Sequence, residues 1–144
     1  MNYRTTPIRV GRTLYATAGL RRAVVAIDAA TGETLWTHRE DEGSRAAPRS
    51  NSGRGVAFWA DGDDERILSI TPGHQLVALD ARTGRPIESF GEGGRVDLKR
   101  GLDRALDPET APIGSTSPPL VVGDIVVVGG ALADGSRPPA LEMP

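Results

Sequence analysis

The run Asp61-Gly62-Asp63-Asp64-Glu65 collects carboxylates, the ligands that hard cations such as Ca²⁺ take. It lacks the spaced pattern of a dedicated calcium loop, so the expectation is an acidic hairpin tip. His38 and His74 are lone histidines beside strand-like segments, with no second ligand at metal spacing, and both read as structural. Gly91-Glu92-Gly93-Gly94 is glycine-rich like a nucleotide cradle, but no strand-to-helix transition follows it. Arg54, taken alone, is a surface or inter-strand ion-pair residue. Thr116, ahead of Ser117-Pro118-Pro119, is a hydroxyl suited to satisfying a turn. Trp36 and Trp59 read as core. No Ser-His-Asp set and no basic-aromatic stripe stands out. If the chain does chemistry, the elements that position these residues must reveal it.

Those elements repeat. Val24 to Trp36 reads VVAIDAATGETLW, and Leu76 to Glu88 reads LVALDARTGRPIE. Ala26 and Ala78, Asp28 and Asp80, and Gly32 and Gly84 are each 52 positions apart. Internal repetition on this scale marks solenoids, propellers and arrays. Ala23-Val24-Val25-Ala26-Ile27 is apolar on both alternating faces, as in a strand covered from both sides. Asp28-Ala29-Ala30-Thr31-Gly32 then reads as a tight hairpin loop, a type I turn closed by a left-handed glycine. The Asp28 carboxylate can accept backbone N–H groups of that turn. Glu33 to Thr37 returns as the partner strand. The second copy follows the same plan, although Arg85-Pro86 weakens its return strand and makes it an edge.

Further strands are expected at Pro7–Val10, Thr13–Ala16, Gly55–Ala60 and Arg66–Thr71, with a pair at Pro119–Val122 and Asp124–Val128 turned at Gly123. Residues 91–117 form a long loop rich in Gly, Pro and charge, and loops of that length are usually functional or disordered. No segment longer than a turn has a helical period. The expected fold is all-β: a β-propeller fragment of about two to three four-stranded antiparallel blades. Residues 1–144 form one partial propeller domain, with repeat hairpins near 23–38 and 75–90. An open arc of this kind leaves apolar faces uncovered.

Composition bounds the partners. The 144 residues have a net charge of −2, which gives no electrostatic case for nucleic acid or an anionic membrane surface. The absence of Cys rules out disulfides and thiolate metal sites. No apolar run approaches a membrane span, and the start, MNYRTTPIRVG, lacks the apolar core of a signal peptide. Both ends read as cuts within a larger propeller.

Ala26 to Trp36 resembles the tryptophan-docking motif of the PQQ-dependent (pyrroloquinoline quinone) quinoprotein dehydrogenases, in which the Trp packs between neighbouring blades of an eight-bladed propeller. Arg54-Gly55-Val56-Ala57-Phe58-Trp59 with its continuation to Leu98, and Ser115 to Gly130 (STSPPLVVGDIVVVGG), are similar to the segments that follow in that family. The resemblance covers nearly the whole chain in order. It implies a cofactor site for PQQ, whose three carboxylates call for planar cationic donors such as an Arg fork. Arg54 stands at the position of the family's PQQ-contacting arginine. Thr116 matches a hydroxyl contact, and Gly130 falls near a Ser of relatives, so that contact would come from backbone.

The resemblance further implies that Ca²⁺ and the catalytic Asp are supplied by residues outside this chain, so no residue here is assigned as catalytic. The implied function is a fragment of a dehydrogenase that oxidises a small alcohol or sugar by hydride transfer to PQQ. Its partners would be the remaining blades and a cytochrome or quinone electron acceptor, in the periplasm. The isolated chain is expected to be inactive. Two departures stand out. Pro48-Arg49 replace the adjacent cysteines of alcohol-oxidising members, and Glu88 stands where the second copy would carry its docking Trp. The alternative is a non-catalytic propeller scaffold or sensor domain with the same repeat.

Overall fold

The computed structural model describes residues 5–19, 21–43, 54–102, 107, 110–111 and 113–132. Strands β1 (Ile8–Val10), β2 (Thr13–Ala18), β3 (Ala23–Asp28) and β4 (Thr34–His38) form one antiparallel sheet in sequence order. A second sheet repeats this with β5 (Ala57–Asp61), β6 (Asp64–Ile70), β7 (Gln75–Asp80) and β8 (Arg95–Asp97). Two short pairs follow: the hairpin β10 (Leu120–Val122) with β11 (Ile125–Val127), and β9 (Ile113–Gly114) with β12 (Ala131–Leu132). Each four-stranded meander is a propeller blade, and the β10–β11 hairpin starts a third. The described residues contain no helix long and apolar enough to cross a membrane.

The aspartate turns behave as their sequence requires. Asp28 Oδ1 accepts the N–H groups of Ala30 and Thr31 at 2.8 and 3.0 Å, and Gly32 closes the loop with φ +76°. In the second copy Asp80 Oδ1 accepts from Thr83 and Arg82 at 2.8 and 3.0 Å, and Gly84 has φ +70°. These bonds hold both carboxyls below the usual Asp range. The backbone N–H groups of Ala30 and Thr31 are the main cause at Asp28. At Asp80 burial pushes the other way and is outweighed by the Thr83 hydroxyl and the turn amides.

The second blade is the core. Its strands read as continuous apolar runs because both faces are covered. Ile67, Val77 and Leu79 point toward the first blade and pack with Tyr15, Val24 and Ala26. The alternate residues Leu68, Ile70, Leu76 and Ala78 pack against Val121, Val126 and Val128 of the third unit. The first blade differs from its expected two-sided burial. In β3 only Val24 and Ala26 are buried, and Val25 and Ile27 remain half-exposed, because no described sheet lies over that face.

The docking tryptophan joins the blades. Trp36, on the outer strand of the first, donates its indole N–H to the carbonyl of Ala81 at 3.0 Å, and the hydroxyl of Tyr15 reaches the same oxygen at 3.0 Å. The two rings lie 5.9 Å apart at 46°. Burial pushes the Tyr15 phenol upward. The fourth strand of the second blade departs from expectation. Pro86 makes only an isolated bridge to Leu79, and β8 supplies the rest of the edge about ten residues later. Pro86 has no N–H to donate, so pairing there cannot propagate. The chain leaves through Gly91-Glu92-Gly93-Gly94, three of whose glycines have φ between +57° and +87°, and returns to β7. Among its described residues the span 91–117 therefore holds two strands, β8 and β9, rather than one continuous loop.

Candidate functional site

In an antiparallel blade the start of the first strand and the end of the second lie at the same edge. Arg54 immediately precedes the lead-in to β5, and His74 sits in the turn after β6. Thr116 precedes β10, and Gly130 follows β11. Two contacts show that the second and third units present these edges together. A Cβ built on Gly55 would lie 3.1 Å from Cβ of Pro118, and one on Gly130 would lie 3.8 Å from Nε2 of His74. All three candidate cofactor residues therefore stand at one end of the fold.

The backbone carrying Arg54 is fixed. Gly55 takes φ +79°, and its N–H donates to Oγ1 of Thr17 in the first blade at 3.0 Å. Val56 enters the core. The Arg54 side chain is partly buried. The partner segment is likewise held by its own contacts: Ser115 is buried and its hydroxyl donates to the carbonyl of Ser117 at 3.1 Å. Thr116 is exposed at the rim, and Gly130 is exposed backbone. The donor types are a guanidinium, a hydroxyl and an open peptide edge, which suit carboxylate oxygens.

The remaining candidates fall into structural roles. The acidic run is the exposed β5–β6 hairpin, with Asp61 opposite Asp64 and Gly62 at φ +58°. Asp64 pairs with Arg66 instead of gathering a cation, and no group of three possible metal ligands occurs among the described residues. His38 Nε2 lies 2.7 Å from Oε1 of Glu40, whose carboxylate receives Nε and a terminal nitrogen of Arg95 at 2.8 and 3.0 Å. That cluster ties the end of the first blade to β8. Burial alone would raise the Glu40 carboxyl, but His38 and Arg95 hold it below the usual range. Trp59 packs against the second core cluster, donates to Asp124 at 3.2 Å and carries Arg66 over its ring at 4.9 Å.

His74 was legible only as a lone histidine. It is 4% exposed with φ +62°, and it lines a cavity of about 350 Å³ with Leu98, Ile113 and Val128. Burial, with the charge of Lys99, pushes its imidazole below the usual histidine range. Glu42 secures the turn: its carboxylate accepts the N–H of Gly73 at 2.7 Å and the hydroxyl of Thr71. The Thr71-Pro72-Gly73-His74 turn is the sequence signal that could have drawn attention to both residues.

Residues 1–142 match the family model described as "PQQ: Glucose/ethanol/alcohol dehydrogenase, beta-propeller domain". The chain belongs to this family. It is 37% identical over 142 residues to the glycerol dehydrogenase large subunit of Gluconobacter oxydans (strain 621H), covering 92% of this chain and 18% of that protein. It is 32% identical over 153 residues to the probable quinate dehydrogenase (quinone) of Xanthomonas campestris pv. juglandis, covering 90% of this chain and 18% of the relative. Among solved structures, quinohemoprotein alcohol dehydrogenase ADHIIG of Pseudomonas putida HK5 superposes with a TM-score of 0.67 at 26% identity, over 90% of this chain and 17% of its own. The quinohemoprotein alcohol dehydrogenase of Comamonas testosteroni gives the same TM-score at 24% identity, over 90% and 17%, and supports the fold. The chain thus spans under a fifth of the length of these members of the PQQ family. Its all-β blades are a portion of their propeller.

Proposed function

We propose that this chain forms one wall of a PQQ site in a dehydrogenase that oxidises a small alcohol or sugar. The observation that carries this reading is the approach of Gly55 to Pro118, which sets Arg54 and the Ser115–Ser117 segment at the same edge. PQQ, when bound, supplies the hydride acceptor. Arg54 would bind one of its carboxylates through two parallel charge-assisted hydrogen bonds, a geometry that Lys cannot reproduce. Thr116 would donate its hydroxyl, and Gly130 would offer its backbone near the place where relatives carry a Ser. Ca²⁺ and the catalytic base would come from blades beyond this chain. A cytochrome or quinone acceptor and a periplasmic setting complete the reading.

The test is PQQ titration of the complete propeller, carrying either the native residue or Arg54→Ala or Arg54→Lys. Loss of a hydrogen bond to a charged group is worth about 1.5–3 kcal/mol, so the Ala protein should bind PQQ roughly 10- to 150-fold more weakly. Lys should restore only part of that affinity. Equal PQQ affinity in all three proteins would exclude Arg54 from the site.

A further inference from the structure

We propose that the cavity bordered by His74 and Gly130 is a binding site for a small uncharged molecule that presents an oxygen acceptor to the His74 imidazole. Leu98, Leu102, Ile113 and Val128 give it apolar walls, and Gly129-Gly130 leaves one side open. Its volume of about 350 Å³ exceeds what a single water needs and falls at the lower end of small-ligand sites. His74 is 4% exposed, and its Nδ1 is buried with no hydrogen-bond partner among the described residues. A buried polar atom left unmatched costs stability, so its retention calls for an explanation.

The direction of the ring supplies one. Nε2 lies 3.8 Å from where a Cβ on Gly130 would stand, and both residues line the cavity. A neutral imidazole carries one N–H and one bare nitrogen. A bare Nδ1 is the less costly atom to bury unmatched, because an orphaned donor is rarer in proteins than an under-satisfied acceptor. The proton is then on Nε2, and the cavity receives a donor. The apolar walls penalise a charged guest, which would lose its hydration with no counter-ion among the described lining residues, while the nearby charges of Lys99 and Asp97 oppose one another at His74.

The ring is also fixed in place. His74 holds a left-handed backbone, which is strained for a residue with a side chain and persists only where its surroundings enforce it. Its own N–H donates to Thr71 at 3.0 Å, its carbonyl accepts from Leu98 at 3.2 Å, and Glu42 anchors the preceding Gly73. Among the cavity's described lining residues there is no guanidinium to meet the three carboxylates of PQQ. This inference shares Gly130 with the PQQ reading but does not use Arg54 or Thr116, and its test follows His74 in the absence of PQQ, so the two can fail separately.

The chain has only two histidines, and this permits a direct test. Imidazole-labelled protein gives one signal set for His74 and one for His38, whose bond to Glu40 makes it an internal control. Cyclohexanol is titrated as the uncharged probe, with cyclohexane and cyclohexanecarboxylate for comparison. We expect cyclohexanol to shift the His74 signals saturably, to leave His38 unmoved, and to bind at least tenfold more tightly than either comparison probe. Leu102→Trp, at the 43%-exposed rim, should abolish the shift without changing the melting temperature. No saturable shift at His74, equal shifts at both histidines, or equal or tighter binding of cyclohexane or the carboxylate would overturn the proposal.

Discussion

Trp36 of the first blade and Ala81 of the second are joined by a 3.0 Å hydrogen bond from indole to backbone carbonyl. Trp36→Phe keeps an aromatic ring, though a smaller one, and removes the donor, leaving Tyr15 as the remaining side-chain donor to that oxygen. Urea unfolding should show a loss of about 1 kcal/mol, the net value of one such bond. Trp36→Ala should cost about 3 kcal/mol, since packing against Tyr15 and Gly84 is lost as well. Equal effects for Phe and Ala would mean that packing contributes nothing to the junction.

The repeated turns separate backbone strain from docking. Gly32 and Gly84 share a left-handed φ, but a Cβ on Gly32 meets nothing within 4 Å, whereas one on Gly84 would stand 2.5 Å from Cε3 of Trp36. Gly32→Ala should therefore cost only the conformational penalty, about 1–2 kcal/mol. Gly84→Ala should cost clearly more and should blue-shift or broaden the Trp36 fluorescence. Identical losses at the two positions would show that the ring moves aside freely.

Acid should weaken the fold in two stages. His74 has its pKa lowered in the folded chain, so the unfolded chain takes up a proton first, and stability falls as pH drops below about 6.5. Glu40 and Asp80 are also lowered. The stability they contribute is present above their unfolded values and is lost as pH falls through the folded ones, below about 4. Melting temperature against pH should thus be flat near neutrality, bend near 6.5 and steepen in the carboxylate range. Glu40→Gln should flatten the lower limb and leave the upper bend.

The β10–β11 hairpin packs Val121 and Val126 inward and turns Leu120, Val122, Ile125 and Val127 outward, each more than half exposed. The chain by itself should bind a hydrophobic dye or self-associate in sedimentation. Leu120→Glu with Ile125→Lys should suppress both without lowering the melting temperature. Dye binding unchanged in that double variant would place the apolar surface elsewhere.

What could be read from residues alone was local. The Asp28 and Asp80 turns were legible because carboxylate, amides and glycine all fall within five positions, and the bonds form within that span. Strand β8 was not legible. Arg95–Asp97 has little intrinsic strand character, and it pairs because Pro86 leaves most of the β7 edge unfilled. The two-sided burial of β6 and β7 was written in their apolar runs, while the similar run in β3 has one face half-exposed, since covering depends on a neighbour and not on the strand. Of the candidate site, Arg54, Thr116 and Gly130 were named through the resemblance alone, and their common edge depends on how the second and third units meet. His74 carried no pattern of its own, and its enclosure comes from Leu98, Ile113 and Val128, each at least 24 positions away.

Ala81 belongs to the same five-residue turn that closes its own hairpin, and it donates its N–H to Glu65 at 2.9 Å just as Ala29 does to Arg12. Its carbonyl is nevertheless turned to the blade before it. A duplicated turn therefore arrives with its own receptor, and a copied blade is ready to be gripped by its predecessor with no new residue to evolve. Only the grip has to be present, and the second copy carries Glu88 at the position of Trp36. Ala29, the counterpart of Ala81 in the first copy, is exposed among the described residues.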